Sequence, residues 1–484
     1  MDLDKLVKPF SPWLASNPRV WQDRQAAIPA FHRPLFDAIV EDLQSLKQML
    51  SITGPRRVGK STILLQIVQH LLNVQKVAPA RIIYYSLDDP ALLGQKAGDE
   101  DVIEALMTRL SDLGSDGPCF LFLDEIQTYE RWEQHLKKYY DLQYPVKVVI
   151  SGSASSPIFK KSRESLLGRV KDFHLLPFSF REFLRYSITN QRLQEEIDSI
   201  AKVGRDIVGK LTRNPADQKT EPHKFGPLSN ELWQEAQRAF NTYVVDGGFP
   251  EVWTMNSATR KMEYLYDNQV KKVITEDLVL AVEFRKPELL KRFYISLLEQ
   301  PGREVNLTQL SKEVGINVQQ IEKYLPLLEM TDLIRSVGNF RNSAMRVRRG
   351  NQKYYLVDVG LRNAVLRIGP ELLKDDTVMG LYAENLVFNA IKKWPGVLQI
   401  DYFREGQKEV DFVVHTRPSH YVPLEVKYRN KWSDKDLSGI VQFREKFKKK
   451  CAAPIVVTKK REHFILHEDG LLMIPLLHFL LLFD

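Results

Sequence analysis

The stretch Gly54-Pro55-Arg56-Arg57-Val58-Gly59-Lys60-Ser61-Thr62 constrains this chain more than any other. Gly54 and Gly59 permit backbone dihedrals and close approaches that a Cβ forbids, so that successive N–H groups can turn toward one anion. Lys60 adds a reaching ammonium and Ser61 a hard oxygen suited to Mg2+, with Thr62 beside them; a helix beginning here points its positive dipole end the same way. Met49-Leu50-Ser51-Ile52-Thr53 enters as a strand, and Ile63, Ile67 and Leu71 leave at helical spacing. Strand, glycine loop and helix, in that order, form the context in which G-x-x-x-x-G-K-[ST] holds the phosphates of a nucleotide.

The carboxylates that nucleotide chemistry needs follow downstream. Arg81-Ile-Ile-Tyr-Tyr-Ser-Leu-Asp88-Asp89 reads as a buried strand ending in acids, and Cys119-Phe-Leu-Phe-Leu runs straight into Asp124 and Glu125. A central strand of this kind can deliver Asp124 to the shell of a Mg2+ ion while Glu125 polarises a water. Pro145-Val-Lys-Val-Val-Ile150-Ser151-Gly152-Ser153 is a further strand with hydroxyls at its carboxyl end. Ligands of open α/β sheets lie beyond that end, so Ser153 is expected to face the same crevice as Lys60 and Asp124.

These segments, together with Ser165-Leu-Leu-Gly-Arg169 and His174-Leu-Leu-Pro-Phe-Ser-Phe-Arg-Glu-Phe-Leu184, resemble the AAA+ ATPase superfamily. The closer resemblance is to the prokaryotic AAA+ family that carries a C-terminal domain of unknown function. It implies a three-layer α/β core over residues 46–185 that binds ATP and Mg2+, with Asp124 and Glu125 as Walker B and Ser153 as sensor. It also implies Arg169 as an arginine finger acting in trans on a neighbouring subunit, and hence a homo-oligomer. Residues 1–45, rich in proline and aromatics, are expected to form an arm that ends in a helix from Pro34 to Leu50.

Residues 186–288 resemble the family's helical lid, with Gly247-Gly248 as a turn and a polar insertion, Asn214 to Pro227, on the surface. Residues 289–350 read as a separate winged-helix domain: a helix from Leu307, a turn at Gly315, a second helix to Leu325, then a strand. Arg341, Arg346, Arg348 and Arg349 make its tip basic, which suits phosphate contacts to DNA and equally a solvated hairpin on a small packing domain.

A second constellation lies in residues 351–484. Glu384 sits on an apolar helix, Asp411 enters one strand, and Glu425 and Lys427, two apart on another strand, point to one face. Two carboxylates and a lysine converging on a small sheet can hold Mg2+ between Asp411 and Glu425 while Lys427 positions a water. With Glu384 as a further ligand and Gln442 on the following helix, the set resembles the PD-(D/E)xK nuclease fold. Lys446, Lys448, Lys449, Lys450, Lys459, Lys460 and Arg461 would suit a nucleic-acid track.

Composition sets the outer limits. A chain of 484 residues is too long for one core. Its net charge of +8 permits an acidic partner without demanding one. Cys119 and Cys451, far apart, offer neither a disulfide framework nor a cysteine zinc site, which points to a reducing, cytoplasmic setting. Asp2, Asp4, Lys5 and Lys8, with no apolar run among them, give no expectation of a signal peptide. The apolar run Leu471 to Phe483, interrupted by Pro475 and His478, is too short to span a bilayer and is expected to close the last domain as a strand or helix, leaving no membrane partner. The expected activity is ATP hydrolysis coupled to DNA binding, with Mg2+-dependent cleavage at Asp411, Glu425 and Lys427. The alternative is a nucleotide-dependent switch that holds DNA or a protein with an inactive nuclease fold.

Overall fold

The computed structural model describes residues 2–15, 17–92, 101–114, 117–153, 165–213, 226–278, 287–340, 351–417, 419–431, 433–467 and 470–484. The chain divides into two compact units: Met1–Leu176 with Thr275–Phe284 and Met330–Asp332, and Pro177–Ile274 with Arg285–Glu329 and Leu333–Asp484.

Among the described residues, the first unit is built on five parallel strands, β1 (Met49–Gly54), β2 (Ile82–Ser86), β3 (Cys119–Asp124), β4 (Val146–Ser153) and β5 (Val170–His174), in the order β2-β3-β4-β1-β5. Unbroken apolar runs such as Ile82–Tyr85 and Cys119–Leu123 are buried, as they must be when helices cover both faces of a parallel sheet. Helices Lys60–Asn73, Val102–Ser111 and Trp132–Asp141 bury Ile63, Ile67, Leu106, Leu110 and Leu136. The helix that starts at Pro34 stops at Ser45, short of the expected Leu50. Leu46 is already extended there, and the Met49 N–H donates to the Arg169 carbonyl at 2.9 Å to begin β1.

Strand β2 is an edge, and an unpaired edge invites aggregation. Here the N-terminal arm covers it. The Ser11 hydroxyl donates to the Tyr84 carbonyl and accepts from the Tyr84 N–H, both at 2.8 Å, and Trp13 Nε1 donates to the Ile82 carbonyl at 2.8 Å.

The second unit contains, among the described residues, nine strands: β6 (Glu304–Val305), β7 (Ile334–Asn339), β8 (Gln352–Leu356), β9 (Gln399–Glu405), β10 (Lys408–Arg417), β11 (His420–Lys427), β12 (Ile455–Thr458), β13 (Ile465–Leu466) and β14 (Leu472–Pro475). They form one sheet in the order β13-β14-β12-β11-β10-β9-β7-β8-β6. The boundary drawn from sequence at residue 350 therefore falls inside a sheet. Strands β6, β8 and β7 pair antiparallel, and β7 continues into β9 through two pairs, Gly338 with Asp401 and Asn339 with Tyr402. Between β6 and β7 lie helices Leu307–Val314, capped by Gly315 at φ 78°, and Val318–Met330. The basic tip, Arg341, Arg346, Arg348 and Arg349, lies outside the described residues, as do residues 214–225 of the expected insertion.

Helix Asn230–Asp246 ends at Gly247 with φ 78°, and a Cβ there would lie 2.3 Å from Asp358 Oδ1. The next N–H, of Gly248, donates to Asp358 Oδ2 at 2.7 Å, so the double glycine is a turn dictated by a carboxylate remote in sequence.

The apolar C-terminal run folds as β14 followed by helix Leu476–Phe483, buried throughout. No helix among the described residues is long and apolar enough to cross a membrane. His478 lies within this helix, its ring stacked on Phe464 at 4.6 Å, and burial pushes its imidazole down to about 4. A base depressed in the fold contributes stability that is present above its unfolded value near 6.5 and is lost as pH falls toward 4. Each tenfold rise in proton concentration between those two values costs about 1.4 kcal/mol, so the loss reaches about 2 kcal/mol by about pH 5. Urea denaturation of wild type and His478→Phe at about pH 7 and about pH 5 checks this: the variant is expected to lose about 2 kcal/mol less between the two.

Candidate functional site

In the first unit, β1 delivers the glycine loop. Gly54 has φ 151°, and a Cβ on it would lie 2.0 Å from the Leu175 carbonyl oxygen, so the close passage of the chain after β5 excludes any other residue. Gly59, at φ 99°, caps helix Lys60–Asn73. Lys60 is buried, and its Nζ donates to the carbonyls of Gly54 at 3.2 Å and Pro55 at 2.7 Å. Burial pushes the ammonium down, while Glu125 and Asp124 push it back up. Ser61 and Thr62 are half-buried on the first helical turn, next to Lys60. Arg33 braces the loop from outside the motif: its Nη1 donates to the carbonyls of Val58 at 3.3 Å and Leu176 at 2.8 Å.

Asp124 ends β3 and is buried. Its Oδ2 accepts from the Tyr84 hydroxyl at 2.7 Å; its Oδ1 accepts from the Ser151 hydroxyl and, at 3.0 Å, from the Glu125 N–H. Burial, then the Asp124 charge, holds the Tyr84 phenol far above its ordinary range, so it stays a donor. Glu125 adopts a left-handed conformation at φ 50°, turning its side chain out of the strand. There Gln127 Nε2 donates to Glu125 Oε2 at 2.5 Å, and the other end of the same amide, Oε1, accepts from the Ser153 N–H at 3.2 Å. Ser153 pairs in register with Gly54 across β4 and β1.

The structure thus brings Lys60, Asp124, Glu125 and Ser153 to the carboxyl ends of three adjacent parallel strands. Sequence reading missed Tyr84, Ser151, Gln127 and Arg33. Ser151 carried a signal, being two residues from Ser153 and so on the same face of β4; Gln127 and Arg33 carried none. Arg169 lies at the other end of the sheet, before β5 and beside Met49. Its guanidinium grips Asp141 with two bonds, 2.7 Å from Nε and 3.1 Å from Nη2.

In the second unit, Glu384 on helix Asp376–Ile391, Asp411 on β10, and Glu425 and Lys427 on β11 also come together. The Val426 N–H donates to Asp411 Oδ2 at 2.8 Å, the Asp411 N–H to Glu425 Oε2 at 3.2 Å, and Lys427 Nζ pairs with Glu425 Oε1. Burial pushes the carboxyls of both Glu384 and Glu425 up.

A residue outside the expected set sits among them. Lys353, on β8 and with a side chain only 4% exposed, places its Nζ 2.6 Å from Glu409 Oε1, 3.4 Å from Glu384 Oε1 and 4.0 Å from Asp411 Oδ1. Glu384 also accepts from the Tyr355 hydroxyl at 2.7 Å. Among the described residues, no three acidic, histidine or cysteine side chains are arranged to hold a metal ion. The cation that faces Glu384, Glu409 and Asp411 in the fold is the Lys353 ammonium.

Gln442 turns away from this group, donating to Glu405 at 2.7 Å, and Lys446 joins the same carboxylate at 2.7 Å. Lys459 pairs with Asp376 at 2.8 Å, and Arg461 donates to Asn230 and to the Leu228 carbonyl. Lys448 and Lys450 are exposed, while the Lys449 side chain lies outside the described residues.

Comparison with known proteins finds three family matches along the chain. Residues 46–184 match an AAA domain family; residues 237–372 and 379–479 match two families described as domains of unknown function, DUF8612 and DUF4143. An uncharacterized protein of Haemophilus influenzae is 22% identical over 403 residues, 82% of this chain and 87% of its own. An uncharacterized protein of Methanocaldococcus jannaschii is 24% identical over 370 residues, 75% of this chain and 71% of its own. Among solved structures, the Saccharomyces cerevisiae Hsp104–ADP complex is 15% identical with a TM-score of 0.30, aligned over 63% of this chain and 51% of that one. This chain therefore spans about half of that Hsp104 chain. A likeness that weak shows neither fold nor activity. The AAA-domain match supports a P-loop AAA+ core and nucleotide-dependent ATPase activity.

Proposed function

We propose that residues 46–185 hydrolyse ATP and that the cycle switches the DNA affinity of the second unit. The observation that supports this most is the meeting of Lys60, Asp124, Glu125 and Ser153 at the carboxyl ends of β1, β4 and β3. The residues fit ATP with Mg2+: a buried ammonium with two loop carbonyls, a glycine loop, a helix amino end, and a carboxylate held by two hydroxyls.

In this reading Lys60 binds the β- and γ-phosphates, helped by the backbone of Gly54 to Gly59, and Ser61 and Asp124 would hold the metal. Bound Mg2+ would neutralise charge on the phosphates. Glu125 orients the attacking water and takes its proton. Gln127 ties the Glu125 carboxylate to the β4 end at Ser153, so a change at the γ-phosphate that moves Ser153 also moves the base. Arg169, at the far end of the sheet, can only serve the site of another subunit, and it must first leave Asp141.

For the second unit, the two helices beside the β6-β8-β7 ribbon and the exposed Lys448 and Lys450 support a winged-helix and nuclease-like surface for DNA. Lys353 favours the reading in which that surface holds DNA without cutting it.

The test is fluorescence anisotropy of a labelled duplex with the full chain, in ATP and in ADP, at about 50 and about 200 mM salt. Binding is expected to differ between nucleotides and to weaken by about 10³-fold or more across that salt range if six or more phosphates are contacted. Lys60→Ala is expected to abolish ATP binding and to remove the nucleotide effect. No binding even at low salt would sink the DNA reading and favour a protein-remodelling ATPase.

A further inference from the structure

We infer that the ammonium of Lys353 is the resident cation of the C-terminal carboxylate cluster, and that this cluster is closed to the divalent metal that cleavage would need. The inference rests on the nuclease-like reading of Glu384, Asp411, Glu425 and Lys427, and it decides what that site can do.

Three carboxylates from two elements surround one nitrogen. Glu409 and Asp411 come from β10, Glu384 from helix Asp376–Ile391, and Lys353 Nζ lies 2.6, 4.0 and 3.4 Å from them in that order. The stem of Lys353 is fixed on both sides of the ribbon, since β8 pairs Lys353 with Val337 on β7 and with Glu304 on β6. The Tyr402 ring lies 5.4 Å from Nζ and adds its electron-rich face to the same site. Mg2+ binds oxygen at about 2.1 Å in a near-ideal octahedron and keeps several of its waters. Because the ammonium lies 3.4 Å from Glu384 Oε1 and 4.0 Å from Asp411 Oδ1, a dication on those oxygens would stand close to a buried like charge, which repels it.

Other oxygens of the set already accept one bond each. Asp411 Oδ2 accepts from the Val426 N–H, and the two Glu425 oxygens take Lys427 Nζ and the Asp411 N–H. A lysine buried with its carboxylates in this way is a clamp between β8, β10 and the helix, and it supplies the positive charge that a metal supplies in a working site.

The probe is Mn2+, followed by electron paramagnetic resonance of the free ion and by isothermal titration calorimetry, with nucleotide-free full-length protein. Wild type is expected to show no Mn2+ binding that Asp411→Asn removes, and no nicking of plasmid DNA in Mg2+ or Mn2+. Lys353→Met, close in length but uncharged, is expected to gain a Mn2+ site at least 10-fold tighter than anything in wild type, and the double variant with Asp411→Asn to lose it. Lys353→Arg, which keeps the charge, is expected to fold and to remain closed. A wild-type Mn2+ site or nicking activity that Asp411→Asn abolishes would overturn the inference, and this arm decides the matter even if Lys353→Met fails to fold. A folded Lys353→Met that gains no site would overturn it equally. Loss of the DNA-binding reading appears separately, as absent anisotropy change at low salt.

Discussion

Glu125→Gln is expected to keep ATP bound and to turn it over about 10²- to 10⁴-fold more slowly, the usual contribution of a positioned proton acceptor. At about 1.36 kcal/mol per decade this removes about 3–5 kcal/mol of transition-state stabilisation. The substitution preserves shape and the left-handed backbone at residue 125, so the loop and Lys60 should not move. It removes only the ability to accept a proton, because an amide is not a base at neutral pH. Steady-state phosphate release, with equilibrium binding of a fluorescent ATP analogue, separates the two effects. Gln127→Ala makes the instructive comparison. It leaves the base in place but cuts its tie to Ser153, so kcat is expected to fall by about 10-fold with KM little changed, the pattern of an interaction made mainly in the transition state. Normal turnover by Glu125→Gln would remove Glu125 from the proposed chemistry.

The largest expected loss of stability comes from one methyl group far from either carboxylate set. Gly204 lies inside helix Gln191–Arg213, where helix propensity alone says alanine should add about 1 kcal/mol. Its position says the reverse. A Cβ on Gly204 would lie 1.7 Å from the Leu482 carbonyl oxygen and 2.5 Å from the Leu482 carbonyl carbon, both backbone atoms of helix Leu476–Phe483. Neither can step aside as a flexible side chain would, so the two helices must separate. Overpacking of this kind costs about 3 kcal/mol or more, which outweighs the propensity gain and leaves a net loss of about 2 kcal/mol. That separation would also loosen Trp394 Nε1 from the Phe483 carbonyl and Arg181 from the Leu481 carbonyl, so the C-terminal helix is expected to lose protection as a unit. Thermal unfolding followed by circular dichroism, with amide exchange at residues 476–484, is the check. A melting temperature equal to or above that of wild type would show that the close approach does not hold in solution.

The nucleotide loop is legible from a single stretch because its chemistry is local: Gly54, Gly59, Lys60 and Ser61 are neighbours along the chain, and their geometry follows from one strand turning into one helix. Asp124 and Glu125 are legible for a related reason, since the short, aromatic-rich apolar run Cys119 to Leu123 reads as a buried strand and a strand must end somewhere. Gln127 is not legible, because a glutamine two residues past the acids is an ordinary loop residue until Ser153 is seen beside it. Arg33 is hidden for the same reason, bonding to carbonyls rather than completing any pattern.

In the C-terminal region the acids Glu384, Asp411 and Glu425 can be named from alternation and spacing. Their electrical environment cannot. Sixty-nine lysines and arginines occur in the chain, and nothing in the residues around Lys353 distinguishes it from the rest. It meets Glu384, Glu409 and Asp411 only because β8 joins the same sheet as β10, through the short β7–β9 pairing of Gly338 and Asn339 with Asp401 and Tyr402. That pairing also merges two regions that sequence separates, since a strand's pattern records which face is buried but not which neighbour it will find. By itself, then, the sequence determined the phosphate loop, the strand-end acids and the identity of the C-terminal carboxylates, all of which depend on contacts within a few residues. The tertiary structure alone decided what those carboxylates face, because the charge that neutralises them arrives from a distant strand, and a buried charge is settled by whichever partner lies within a few ångströms.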